Sequence, residues 1–348
     1  MVSLDDVVEG HGLDIVSNEE EDSPLQENAL HQQRNFKRSL DASGRSVEEL
    51  EGLEHTFTDQ PSAPWNLIRL SQRTIPLGTS YAYGARAGVG VDVYIVDTGV
   101  FADHSEFGGR AKVGVNFVTT EDFWDGNGHG THVAGTVAGA TYGVAKRASI
   151  VAVKVLDKNG SGSWSDIIAG IAWVAQQARN STRRSVANLS ITGSYMQSVN
   201  DAIASCVRTS GVHFAAAAGN AGLDGCQYSP GSASNMGAVS VGSVNSKDTV
   251  SSFSNIGSCL TIFAPGESII SASPASTVAT RIMSGTSMAS PHVAGVMALA
   301  LSYRGNLSWW GMRSILVRVA TKGGLVGVPA GSPNIMLFGY WAKAGVVG

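Results

Sequence analysis

The chain has 348 residues, of which 43% are hydrophobic and 15% charged, so it can bury a large core, and its 42 glycines follow no collagen-like period. Its formal charge of −4 is unevenly spread: residues 1–60 carry 15 acidic and 4 basic side chains, and the remainder 13 and 20. The basic body has no Lys/Arg cluster, which argues against nucleic-acid binding, and no apolar run reaches membrane-spanning length.

Residues 1–60 read as an acidic leader of weak periodicity that either docks on the body or is removed, and Lys37-Arg38 within it is a dibasic pair open to processing. Residues 61–80 read as a linker, and 61–348 as one large domain. From residue 89, strands and helices alternate. Val91–Val96 is an apolar β-branched run and predicts a buried strand. Gly130–Ala140 predicts a tightly packed helix, and Ile150–Leu156 a second strand. Ser165–Ala178 has helical spacing, with Ser165 or Asp166 as the N-cap. Val186–Ile191 predicts a strand, and Val199–Thr209 a helix ended by Ser210-Gly211. Val212–Ala218, Ala238–Val244 and Leu260–Phe263 predict strands, and Ser287–Tyr303 a helix. Strands apolar on both faces that alternate with helices predict an α/β fold with a parallel sheet covered on both sides. Ligands of such sheets bind beyond the carboxyl ends of the strands.

Four segments near those ends carry candidate chemistry. Asp97 follows the first strand in Val96-Asp97-Thr98-Gly99, where a turn residue is the plain alternative. His129 opens the glycine-rich helix in Asp125-Gly-Asn-Gly-His129-Gly-Thr-His132. His129 and His132 lack the glutamate of H-E-x-x-H, so a general base is favoured over a metal pair, and His132 is expected to be buried and hydrogen-bonded. Ser287 begins a helix in Ser284-Gly-Thr-Ser287-Met-Ala-Ser-Pro, where free N–H groups can stabilise an oxyanion. Asn220 ends a small-residue strand in Ala215-Ala-Ala-Ala-Gly219-Asn220 and supplies an amide donor. A serine nucleophile needs a base, and the base needs a carboxylate to fix its tautomer; Asp97, His129 and Ser287 supply that set. The setting of Ser287 is not the G-x-S-x-G of α/β-hydrolase esterases.

Together and in this order, V-D-T-G, G-H-G-T-H-V-A-G, A-A-G-N and G-T-S-M-A-S-P-H-V-A-G resemble the motifs of the subtilase family, over about Pro64 to Tyr340. Ala63-Pro-Trp, Asn159-Gly-Ser-Gly-Ser-Trp, Phe253-Ser-Asn and Pro329-Ala-Gly-Ser-Pro-Asn are similar to its proteinase K and cerevisin-like fungal branch. The resemblance implies a doubly wound, mostly parallel α/β sheet and a serine endopeptidase of broad specificity. It implies a triad of Asp97, His129 and Ser287, with an oxyanion hole from Asn220 and the Ser287 N–H. It implies peptide bound between two edge segments, Gly160-Ser161-Gly162-Ser163 and Ser190-Ile191-Thr192-Gly193, with Trp164 over an outer pocket and Ala217, Ala218 and Gly219 lining the pocket beside the scissile bond. It implies catalysis without a cofactor or metal. The expected partners are protein or peptide substrates and the chain's own propeptide, for a monomer with no nucleic-acid or membrane partner. The alternative is an inactive binding protein or an unprocessed zymogen relic on the same fold.

The chain departs from the family pattern at several points. The edge segment is usually Ser-Leu-Gly-Gly, and Thr192 at a glycine position is expected to narrow the first pocket or disturb main-chain pairing. Thr261 stands where calcium-binding relatives often carry Asp, which makes a structural Ca2+ questionable there. Val133 replaces a frequent Cys, while Cys226 and Cys259 match a pair seen in cerevisin-like members and are expected to form a disulfide, leaving Cys206 free. The leader is expected to be a truncated or divergent propeptide. No signal peptide is visible, and secretion is the expected destination, with the vacuole as alternative. Asn180 and Asn306 lie in glycosylation sequons, as does Asn188, which is expected to be buried.

Overall fold

A computed structural model describes residues 57–339; the leader and its dibasic pair fall outside the described residues apart from Phe57–Gln60. The chain opens with β1 (Phe57–Pro61), α1 (Trp65–Ser71) and β2 (Ser80–Gly84), and β1 pairs antiparallel with β2. The last residues of the expected leader are thus part of a paired strand, and the expected linker is corrected to a helix. Its amphipathy explains why: Leu67 and Leu70 are fully buried, and Arg69, also buried, donates to Asp248 at 2.8 Å. Pro64 caps the amino end of α1, where a missing N–H costs nothing.

There follow β3 (Val91–Asp97), β4 (Ala111–Asn116), α2 (His129–Ala138), β5 (Ser149–Lys154), α3 (Trp164–Arg179) and β6 (Arg184–Leu189). Next come β7 (Gly193–Ser194), α4 (Gln197–Ser210), β8 (His213–Ala217), β9 (Tyr228–Ser229), β10 (Ala238–Val244) and β11 (Ile262–Pro265). The hairpin β12 (Ile269–Ala272) and β13 (Thr280–Met283) precedes α5 (Thr286–Arg304), α6 (Trp309–Val319), β14 (Thr321–Lys322) and β15 (Ile335–Met336). Nine strands form one sheet in the order β14-β15-β11-β10-β8-β6-β3-β5-β4, parallel except for the β14–β15 pair. The N-cap of α3 is Ser163, whose side chain accepts from Asp166 N–H, rather than Ser165 or Asp166.

The period of two along each strand divides the core between two layers. Val93 and Ile95 of β3, Ile150 and Ala152 of β5 and Ala215 of β8 face α2 and α5, with Val133, Val293 and Val296. Their neighbours Tyr94, Val96, Val151, Val153, Phe214 and Ala216 face α3 and α4, with Ile167, Ile171, Val199 and Ile203. This is the covered, doubly wound sheet that the apolar runs predict. Helix α5 lies across β10, β8, β6 and β3 and is buried along almost its whole length, so its amino end arrives at the carboxyl rim of the central strands. Cys226 and Cys259 form the expected disulfide, and Cys206 is a buried free thiol.

Candidate active site

Asp97 ends β3 and is completely buried. Its Oδ1 accepts from its neighbour's Thr98 N–H at 2.7 Å and meets His129 Nδ1 at 2.8 Å. His129 is the first residue of α2, delivered by a turn that brings two backbones into contact. A Cβ on Gly130 would lie 2.1 Å from the Gly99 carbonyl oxygen, so this close approach requires glycine. Burial pulls the His129 pKa down, but the charge of Asp97, its hydrogen bond, and the more distant Asp125 outweigh that, leaving His129 above its ordinary value. His132, one turn further, bonds to Ile269 O at 2.9 Å, and burial pushes its pKa down to about 3, so it stays neutral and structural.

Asp125 is a part of this site that the sequence reading overlooked. It is fully buried, and its carboxylate accepts from Thr98 Oγ1 and Gly128 N–H on one oxygen, both at 2.7 Å, and from Thr131 N–H at 2.8 Å and Thr131 Oγ1 at 2.5 Å on the other. Thr98 Oγ1 in turn accepts from Gly130 N–H at 3.0 Å. The neighbours of Asp97 and of His129 are therefore tied to one carboxylate. Lys154, in register with Asp97 on β5, supports the same turn: its buried ammonium donates to Thr98 O at 2.7 Å and pairs with Glu121 at 3.0 Å.

Ser287 lies in the first turn of α5, whose start is anchored to the end of β6. Ser190 Oγ donates to Ser287 O at 2.7 Å and accepts from Asn188 Nδ2 at 2.8 Å, while Asn188 Oδ1 accepts from Ser290 Oγ at 2.8 Å. Asn188 is buried and engaged on both ends, which removes it as a glycan acceptor. The Ser287 hydroxyl donates to Ser190 O at 3.2 Å, and among the described residues no hydrogen bond joins it to His129. A hydroxyl has one proton to give, and at rest it is turned to the carbonyl; rotation about the Cα–Cβ bond redirects it, and such bonds often tighten only when substrate binds.

Asn220 is oriented by its own oxygen. Its Oδ1 accepts from Thr286 N–H at 2.8 Å and from Thr286 Oγ1 at 2.9 Å, so its Nδ2 donors are left to face outward. Gly219 has φ +108°, a conformation glycine adopts at no steric cost, and a Cβ there would meet Asn255 Nδ2 at 2.3 Å and the Thr192 methyl at 2.9 Å. Asn255, also overlooked apart from its place in the Phe253-Ser-Asn motif, is buried; it accepts from Ala221 and Leu223 N–H at 3.0 and 3.1 Å and donates to Ala218 O at 2.8 Å.

Trp164, the residue after the first expected edge segment, lies against the second. A Cβ on Gly193 would lie 2.5 Å from Trp164 Cζ2, so the indole covers the Gly193 backbone. Gly160, Ser161 and Gly162 are exposed, with Gly160 and Ser161 in a turn that Asp157 Oδ1 caps at 2.9 Å from Ser161 N–H. Ile191 is buried, Thr192 exposed, and Gly193 pairs with Ser229 on one side. The main-chain groups of Ala218 and Gly219 are all used internally, by Val241 O, Asn255 and Thr286 Oγ1, so these residues can offer a substrate only surface. At the position compared with calcium sites, Thr261 offers a buried hydroxyl without a partner in place of a carboxylate, a donor set that does not fit a hard dication.

Residues 88–336 match the family profile described as the subtilase family. The chain is 48% identical over 276 residues to "Subtilisin-like protease 1" of Pseudogymnoascus destructans, covering 79% of this chain and 67% of that one. It is 40% identical over 308 residues to "Alkaline protease 2" of Aspergillus fumigatus, covering 81% and 62%. The chain thus spans about two thirds of the length of these curated relatives. Among solved structures, a cold-adapted subtilisin-like serine proteinase superposes with TM-score 0.75 at 43% identity, over 80% of this chain and 98% of that one.

Proposed function

The chain belongs to the subtilase family, and we propose that it cleaves peptide bonds in proteins as a serine endopeptidase with Asp97, His129 and Ser287 as its triad. The observation that carries this reading is the 2.8 Å contact of His129 Nδ1 with the buried Asp97 carboxylate, at the same sheet rim that receives the head of α5 with Ser287. Asp97 fixes the tautomer with the proton on Nδ1, which leaves Nε2 basic. His129 Nε2 takes the Ser287 proton as Oγ attacks the peptide carbonyl carbon. The carbonyl oxygen becomes an oxyanion facing the Ser287 N–H and Asn220 Nδ2, the latter on an amide whose oxygen is held by Thr286. The C–N bond breaks as His129 returns the proton to the leaving amine. Water then enters by the same base, and the acyl-enzyme is hydrolysed.

Peptide would lie between Gly160–Ser163 and Ser190–Gly193, with Trp164 bounding an outer pocket and the Thr192 methyl crowding the surface at Gly219. The Cys226–Cys259 disulfide supports an oxidising compartment, hence the secretory route, and no described helix is long and apolar enough to cross a membrane. The acidic leader is read as a processed segment. Casein hydrolysis by the purified chain tests the function: arylsulfonyl fluoride and Ser287→Ala should each abolish it. A folded sample whose cleavage persists in both would refute the assignment. Sequencing the amino terminus of active material tests the processing.

A further inference from the structure

The sheet has a second end. At the amino ends of β6 and β8, opposite the rim that carries Asp97, the carboxyl ends of α3 and α4 border a cavity of about 580 Å3. Its lining includes Arg179, Arg183, Arg184 and Arg208, together with hydroxyls such as Ser181 and Thr209, and no carboxylate among the described residues.

Two of the arginines are held in place. Arg183 Nε donates to Asp92 at 2.7 Å, and its Nη2 donates to Ser149 Oγ at 2.9 Å. Arg184 Nε donates to Asn306 Oδ1 at 3.1 Å. Burial and the charge of Arg86 push the Arg184 pKa down to about 10. Arg179 and Arg208 are exposed and make no hydrogen bond or ion pair among the described residues. Complementing the dipoles of α3 and α4 would account for these two, since each lies in a last turn. It does not account for Arg183 and Arg184, which meet the same cavity from the start of a strand.

We propose that this cavity is a binding site for a small, multiply charged oxyanion of the phosphate type. The planar guanidinium fork matches two oxygens of such a group, and the volume is that of a small-molecule site rather than a protein-docking surface. The length of β8, His213–Ala217, separates it from the catalytic rim, on the order of 15 Å. The anion therefore stabilises the fold from the opposite edge and stays out of the peptide cleft.

Pyrophosphate is the probe, titrated into the full chain by calorimetry at constant ionic strength, with Tm followed in parallel. Saturable one-site binding and a Tm that rises with pyrophosphate are expected. Arg179→Gln and Arg208→Gln should each weaken binding about tenfold, while hydrolysis of a short peptide is unchanged. Arg208→Lys should restore only part of the loss, and Lys112→Gln on β4 should leave binding unchanged. Absence of saturable heat at millimolar pyrophosphate would overturn the proposal. So would equal weakening by Lys112→Gln, which would mean diffuse attraction. A lower Tm in the arginine variants without any response to pyrophosphate would assign the arginines to the helix dipoles alone. Binding that emerges only when residues 1–56 are removed would assign the cavity to the acidic leader instead.

Discussion

Asp125→Asn changes one atom and should damage both stability and catalysis. The native carboxylate meets donors only: the hydroxyls of Thr98 and Thr131 and the N–H groups of Gly128 and Thr131. An amide has one accepting oxygen. Whichever way it is turned, its NH2 faces one of the two hydroxyls and one of the two backbone N–H groups. The hydroxyl can rotate to accept, but the N–H cannot. One charge-assisted bond is lost and a buried donor is left opposed, while the remaining bonds lose their charge, so the cost is about 3–5 kcal/mol. For a domain of this size that is roughly 5–8 °C in Tm. Thr98 and Gly130 adjoin Asp97 and His129, so the triad shifts with them, and a displacement near 1 Å is worth about 10²-fold in turnover. Removing the Asp125 charge also lowers the His129 pKa, since that charge helps hold it up. The assay is calorimetric Tm together with the pH profile of kcat/KM on a chromogenic peptide. A variant with Tm within about 1 °C of wild type, activity within about twofold and an unmoved acid limb would refute the reasoning.

Other outcomes follow from the same geometry. Wild-type kcat/KM should rise with pH through an apparent pKa above the ordinary histidine value, because His129 must be neutral to act and Asp97 raises its pKa; Arg281→Gln removes an opposing charge and should move that limb higher. The stability that the raised His129 pKa contributes is present below its unfolded value and is lost as pH rises through the folded one, so Asp97→Asn should flatten the Tm profile in that window. Thr192→Gly removes the methyl that crowds Gly219 and should raise kcat/KM for bulky side chains on the acyl side of the scissile bond by about tenfold, read with a substrate series. Cys226→Ser with Cys259→Ser opens a link across 33 residues and should cost about 4 kcal/mol by loop entropy, measured by urea unfolding.

Much of this was legible in the residues. The central strands announced themselves as β-branched apolar runs, because a sheet covered on both faces leaves no polar alternation to blur them; Ala238–Val244 runs over the predicted span. The motifs around Asp97, His129, Asn220 and Ser287 were legible because small residues must flank them: Gly130 and Gly219 stand where a Cβ would collide. Helix α1 was missed because the prolines just before it, Pro61 and Pro64, suggested a linker, and the partner that anchors it, Asp248, is far along the chain. Asp125 and Asn255 carried no role of their own in the motifs that contain them. Their significance lies in donors converging from Thr98 and from the Ala218–Leu223 loop, which only the folded chain brings to them. The resting direction of the Ser287 hydroxyl, toward Ser190 O, has no signal in the sequence at all.

The most direct test of the account is covalent labelling of the folded chain with a fluorophosphonate, located by peptide mass mapping in wild type and in His129→Ala. Modification confined to Ser287 and lost without the imidazole is the expected result. Labelling at another serine, or at Ser287 with undiminished rate in His129→Ala, would contradict it.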